Sequence, residues 1–216
     1  ERLGGLWRSL PYTGALLLIG GLAISGLPPF NGFVSELVLY AGLLGGHAPT
    51  AAGDAALVCA AALLAFVGAV SALSMTRAFG VAFLGSPRDP SVKVRGEAPA
   101  SMAAPMWAHA AGVLVVGLVP ATALALVDPV AAQFLGSAAG PEVVADLLAP
   151  VTTATRFAAL GLVAAAGLAW LAGRGARRHV TWGCGYTAGS PRMQYTASGF
   201  GEPFLARPGD FGLVSP

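Results

Sequence analysis

The sequence is poor in charge. Only 10% of its 216 residues are Asp, Glu, Lys or Arg, whereas a soluble domain carries about a quarter. Hydrophobic residues make up 56% of the chain, and the mean hydropathy is +0.72. This composition is typical of an integral membrane protein, so the lipid bilayer is the first partner that we expect.

Basic clusters are also missing. The formal net charge is only +2, and no run of Lys or Arg alternates with aromatic residues, which is the pattern of nucleic-acid-binding segments. We therefore expect no nucleic acid among the partners.

Cysteines are few and poorly placed for chemistry. Cys59 lies in an apolar run and Cys184 in a polar tail, and neither has the spacing of a metal site or a CxxC pair. The chain has no GxGxxG on a strand–helix unit and no nucleophile beside a base. We expect no cofactor, no metal and no catalytic residue, so any redox chemistry would belong to partner subunits.

Four apolar stretches divide the chain. Residues 55–84, 103–127 and 155–173 are each long enough to cross about 30 Å of hydrocarbon as a helix. The stretch 10–45 makes the first crossing, and a polar tail follows at 179–216. Because the chain begins ERLGG, without Met or a signal-peptide pattern, 1–178 is interpreted as part of a C-terminal fragment.

The cations predict the topology. The basic residues that flank the apolar stretches are Arg2, Arg8, Arg88, Lys93, Arg95, Arg174, Arg177 and Arg178, whereas 45–54 and 128–154 contain no Lys or Arg. By the positive-inside tendency the basic segments are cytoplasmic, including both ends of the chain. Residues 128–154 are expected on the outer face as short amphipathic helices.

The first apolar stretch contains a cluster of helix breakers. In SGLPPFNGFVSELVLYAGLL, Pro28 and Pro29 remove two backbone donors, and Gly26 and Gly32 allow non-helical geometry. One straight helix over 10–45 would be about 54 Å long, too long for one crossing. We therefore predict a discontinuous helix, 10–26 and 32–45. The predicted fold is all-α: a polytopic transmembrane helical bundle with about four crossings, the first discontinuous, and an irregular cytoplasmic tail.

Glu36 follows this break by about one turn. Broken backbone at membrane depth is tolerated only where protein or water satisfies it, and such breaks mark ion pathways. A buried carboxylate there can take up and release protons. The residues leave open that Glu36 is instead an interfacial acid. His109 is a second candidate proton carrier, although a single histidine near a span end is more often an interfacial residue.

At these residues the chain resembles a known family. PPFNGFVSE, preceded by LGGLWRSLPYTGALLLIGGLAISGL, resembles the discontinuous helix of the antiporter-like subunits of complex I and its relatives. AFGVAFLGSPR and the tail TWGCGY...PRMQYTASGFGEPF are similar to the large proton-translocating subunit of energy-converting hydrogenases and formate hydrogenlyase.

The resemblance implies a role for particular residues. In this family protons pass along a hydrophilic axis, and the broken helix carries a terminal ionisable residue that matches Glu36. Asn31 and Ser35 would neighbour the water path. In the tail, the matching residues are Trp182, Cys184, Tyr186, Arg192 and Tyr195, which would pack on the cytoplasmic face or on a neighbouring subunit.

Three functions are compatible with the sequence. The first is proton or cation translocation across the cytoplasmic membrane, within a redox-driven hydrogenase or NADH-quinone oxidoreductase-like complex and beside its other membrane and peripheral subunits. The second is a subunit of an Mrp-type cation/proton antiporter, in which the WGCGY tail is unexpected. The third is a non-conducting structural anchor. A fragment that lacks the upstream repeats would not hold a complete proton path.

Overall fold

The computed structural model describes residues 2–89, 91–135, 141–174 and 193–194, and these ranges contain helices and no β-strand. After a 3₁₀ turn at Leu6–Arg8, the helices are α1 (Pro11–Ile24), α2 (Asn31–Gly45), α3 (Ala51–Phe83), α4 (Ala100–Leu118), α5 (Ala121–Leu135) and α6 (Pro141–Gly173). The all-helical prediction is confirmed.

Three helices are long and apolar enough to cross a bilayer. They are α3, α4 and the part of α6 from Leu148 to Gly173. Apolar side chains such as Phe66, Leu63 and Leu160 lie exposed on these helices, which suits contact with lipid rather than water. The chain is a multi-pass membrane protein.

The first crossing is made of two pieces. Helices α1 and α2, of 14 and 15 residues, are each about 21–23 Å long, too short to cross about 30 Å alone. Residues 25–30 separate them, close to the break predicted from the prolines. Both pieces pack against α3 and α4, so the break lies inside the bundle.

The later helices differ from the expected spans. The stretch 103–127 is interrupted, because α4 ends at Leu118 and α5 begins at Ala121. Pro120 cannot donate a backbone hydrogen bond and pushes Val119 out of helical geometry, to φ −136° and ψ 67°. The outer stretch expected as short helices instead joins α5 and α6, and α6 begins at Pro141 rather than at 155.

Helix α4 packs directly on the break. A Cβ atom on Gly117 would collide with the carbonyl oxygen of Pro29 and lie 2.8 Å from the carbonyl carbon of Phe30. On the other side of the break, a Cβ on Gly32 would collide with the carbonyl oxygen of Ala23. Only glycine permits such close backbone contact, so these two positions hold α1, α2 and α4 together at the break.

One end of the bundle is held by polar contacts. The Arg2 guanidinium lies 2.7 Å from the Asp89 carboxylate, and Arg88 donates to the carbonyl of Leu3 at 2.7 Å. The N–H of Gly5 donates to the carbonyl of Leu84 at 2.8 Å. These bonds tie the segment before α1 to the loop between α3 and α4, hereafter the α3–α4 loop (84–99).

The same loop caps α1. Glu97 accepts hydrogen bonds from the N–H of Tyr12 at 2.6 Å and from the hydroxyl of Thr13 at 2.6 Å, with longer bonds from the N–H of Thr13. These are the second and third residues of α1, whose N–H groups have no partner within the helix. A carboxylate at a helix N-terminus also interacts favourably with the helix dipole.

We expect Glu97→Ala to lower the thermal stability of the full chain in detergent, because the first turn of α1 loses its cap. Hydrogen exchange at Tyr12 and Thr13 should accelerate. Lys93→Ala, an exposed change in the same loop, is the matched control. Equal melting temperatures for the two variants would show that Glu97 does not hold α1.

The two loop carboxylates also predict a pH dependence. Hydrogen bonds from the hydroxyl and N–H of Ser91, with further help from Arg2, lower the pKa of Asp89 to about 2. Loss of water raises the pKa of Glu97, but the bonds from Thr13 and Tyr12 outweigh this, so its net pKa is also lowered. A lowered pKa stabilises the fold above the ordinary value and ceases to do so as pH falls through the folded value.

We therefore expect the difference in melting temperature between the wild type and Asp89→Asn to be constant above about pH 5 and to shrink below about pH 4. A difference that stays the same down to pH 2 would contradict a stabilising role for the ionised form of Asp89.

We expect Gly117→Ala to destabilise the bundle by about 1–3 kcal/mol, because the new methyl group meets the backbone of the break. Gly112→Ala is the matched control in the same helix, since nothing lies within 4 Å of its Cβ position. Thermal unfolding of both variants in detergent measures the difference. If Gly117→Ala were as stable as Gly112→Ala, the close contact between α4 and the break would be wrong.

Candidate functional site: a carboxylate beside a broken helix

The break is a compact turn with its own hydrogen bonds. Gly26 has φ +64°, a left-handed conformation that glycine adopts without strain, and the peptide between Pro28 and Pro29 is cis. The Ser25 hydroxyl donates to the carbonyl of Gly21 at 2.6 Å. The N–H of Leu27 donates to Leu22 at 3.2 Å. The turn thus satisfies part of the backbone that the prolines interrupt.

Glu36 folds back onto this turn. A Cβ atom on Gly26 would lie 2.6 Å from Oε2 of Glu36, so the carboxylate occupies the space that a side chain on Gly26 would need. On its other side, a Cβ on Gly68 of α3 would lie 3.6 Å from the same oxygen. The half-buried carboxylate therefore lies between the break and α3.

The contact with Gly68 indicates the depth of the carboxylate. Helix α3 runs from Ala51 to Phe83 and is apolar enough to cross a membrane, and Gly68 lies at its middle. The carboxylate of Glu36 is thus level with the centre of a membrane-spanning helix. Within the described part of the chain, no hydrogen bond or ion pair reaches this carboxylate, so water is the remaining partner that its charged form needs.

Asn31 and Ser35 lie on another face of α2. They line a groove of about 440 Å³ between α2, α4 and α5, whose walls are mostly aliphatic and include Leu148 of α6. The Ser35 hydroxyl donates to the carbonyl of Gly32 at 3.0 Å. The structure therefore does not bring Asn31 and Ser35 to the crevice that holds Glu36.

His109 lies in a third place. It lines an apolar groove of about 410 Å³ between α1 and α4, and its Nδ1 is 2.8 Å from the carbonyl oxygen of Pro105, one turn earlier. The ring is exposed, and no hydrogen bond among the described residues links it to Glu36.

The predicted tail residues Trp182, Cys184, Tyr186, Arg192 and Tyr195 lie outside the described residues. Their neighbour Gln194 is described, and sequence reasoning did not single it out. Its side-chain oxygen accepts from the N–H of Ser86 at 3.0 Å, and its amide donates to the carbonyl of Ser86 at 2.9 Å. This two-bond pairing fixes that point of the tail on the α3–α4 loop.

Sequence reasoning also missed Gly68 and Glu97. An isolated glycine within a long apolar helix is a signal that something approaches the backbone there, so Gly68 was detectable. Glu97 gave no comparable signal, because its partners are 84 and 85 residues away. In the described residues, no cluster of three His, Cys, Asp or Glu side chains is arranged to hold a metal ion.

Several characterised proteins are similar to this chain. An uncharacterized protein of Mycobacterium tuberculosis is 34% identical over 97% of the chain and 35% of its own length. Hydrogenase-4 component B of Escherichia coli is 33% identical over 55% of the chain and 18% of its own length. NADH-quinone oxidoreductase subunit L of M. tuberculosis is 35% identical over 76% of the chain and 24% of its own length. No family model matches the chain.

The chain spans at most about a third of the length of these relatives. The similarity nevertheless extends over most of this chain, and it joins hydrogenase and NADH-quinone oxidoreductase components that the sequence motifs had already suggested. Together with the helical membrane bundle and its discontinuous first helix, these matches show that the chain belongs to the superfamily of antiporter-like membrane subunits.

Proposed function

We propose that this chain forms part of the proton path of a membrane subunit in a hydrogenase-type or complex I-type redox assembly, with Glu36 as a proton carrier. The observation that carries the proposal is the position of the Glu36 carboxylate, which lies against the broken backbone on one side and the middle of α3 on the other. An ionisable group at that depth is costly and is typically functional.

The arrangement supports proton transfer for a physical reason. A carboxylate in a hydrocarbon environment favours its neutral form, whereas contact with water favours its charged form. The break exposes peptide groups that the helices cannot satisfy, and water that satisfies these groups would also reach Glu36. The side chain would then load and release a proton as its hydration changes.

The expected orientation follows from the basic end of the bundle. The structure joins the segment before α1 to the α3–α4 loop, so the exposed cations Arg2, Arg8, Lys93 and Arg95 lie on two segments that meet. The positive-inside tendency supports a cytoplasmic location for this end in the cytoplasmic membrane. Helix α2 would then lead outward from the break.

The redox assembly is preferred over a stand-alone antiporter because of the tail. The similarity to the mycobacterial relative covers 97% of the chain, and Gln194, within the PRMQY part of the tail motif, is bonded to the α3–α4 loop. We propose that electron transfer occurs in other subunits and that this chain conducts protons in response. Asn31, Ser35 and His109 lie away from Glu36, and we propose at most auxiliary roles for them.

The test compares proton uptake into inverted membrane vesicles that contain the full chain in its complex. Glu36→Gln preserves the shape of the side chain and removes its titration, so we expect redox-driven uptake to fall about tenfold or more. Asp54→Asn is the control: its carboxylate accepts from the N–H of Ala48 at the start of α3, remote from the break. Unchanged uptake in Glu36→Gln, with normal amounts of assembled complex, would leave only a structural role for Glu36.

A further inference from the structure

Gly68 is the glycine in the middle of α3, where the helix faces α2. Its Cβ position lies 3.6 Å from Oε2 and 3.9 Å from Oε1 of Glu36, and no atom of another residue lies within 4 Å of it. The position therefore borders the carboxylate alone.

The two glycines beside Glu36 differ in what they permit. At Gly26 both the positive φ and the 2.6 Å approach of Oε2 exclude a side chain. At Gly68 the backbone is helical and 3.6 Å is an ordinary contact distance, so alanine fits. Alanine is also the better helix former. Packing and helix propensity thus give no reason for glycine at 68, whereas the chemistry of the carboxylate does.

We propose that Gly68 is a positioning residue for Glu36: because it has no side chain, the carboxylate keeps a face on α3 at which water can reach it and exchange protons. This inference rests on the proposed function, in which Glu36 carries protons. A methyl group is similar in size to a water molecule, so a methyl at position 68 would replace that access with an apolar contact.

The prediction follows from the solvation of the two forms of a carboxyl group. An apolar neighbour disfavours the charged form, whereas a hydroxyl that donates a hydrogen bond favours it. Gly68→Ala and Gly68→Ser place the same Cβ atom beside Glu36 and differ only in this polarity. They should therefore move the pH profile of proton uptake in opposite directions.

The surrounding helices contribute few other titrating groups. Helix α1 has no Asp, Glu, Lys, Arg or His, and Tyr40 is the other titratable residue of α2. In α3, Asp54, Cys59 and Arg77 lie at least nine residues from Gly68, and α4 contributes only His109. A shift that requires both Gly68 and Glu36 is therefore attributable to Glu36.

The experiment measures redox-driven proton uptake between pH 5 and 9 in vesicles that contain the full chain in its complex. The variants are Gly68→Ala, Gly68→Ser, Glu36→Gln and the control Gly42→Ala, a helical glycine of α2 with nothing within 4 Å. We expect the falling limb of the profile to move by about half a pH unit or more, upward for Ala and downward for Ser. Gly42→Ala should match the wild type.

The outcomes separate the two proposals. If Glu36→Gln leaves uptake unchanged, the proposed function fails and the inference fails with it. If Glu36→Gln abolishes uptake but Gly68→Ala and Gly68→Ser keep the wild-type profile, or both move it in one direction, Gly68 has no positioning role and the proposed function stands. If the Ala variant does not assemble, the Ser variant alone decides, since a profile equal to that of the wild type overturns the inference.

Discussion

The structure depends on one constraint: backbone that leaves the helix inside a bilayer must find its hydrogen-bond partners within the protein or in enclosed water. Residues 25–30 meet this constraint through a turn at Gly26 and through burial against α4, whose Gly117 contacts the backbone at Pro29. The remaining helices can be understood as the support of that turn. Contacts of α1 and α2 with both α3 and α4 enclose it, and the capping of α1 by Glu97 fixes the first of its two arms.

The same constraint explains why an acid is tolerated at this depth. Glu36 lies beside the interrupted backbone and between two glycines, Gly26 and Gly68, so the groups that need water lie together. An isolated carboxylate facing lipid would have no such environment. Membership of the antiporter-like superfamily fits this reading, because the break and its carboxylate are the features that distinguish the chain from a set of plain membrane anchors.

Much of the fold was predictable because prolines and apolar runs act locally. Pro28 and Pro29 marked the break to within two residues, and the apolar run of α3 was recognised by length. The interruption at Pro120 was missed because the apolar composition continues across it, and the true start of α6 was missed because acids in 141–147 suggested a surface segment. In the site, Glu36 was identified from its depth alone, but the separation of Asn31 and Ser35 from it depends on how α2 is rotated against α4 and α5, which sequence spacing does not determine.

The central claim is that the Glu36 carboxyl group exchanges protons with water inside the bundle. Infrared difference spectroscopy of the membrane-embedded complex, between acidic and alkaline pH, tests it most directly because it detects the C=O stretch of a protonated carboxyl group. The account predicts a carboxyl band that is sensitive to deuterium and absent in Glu36→Gln. An identical spectrum in the wild type and Glu36→Gln would contradict the claim, since the carboxyl group would then not titrate at its place beside the break.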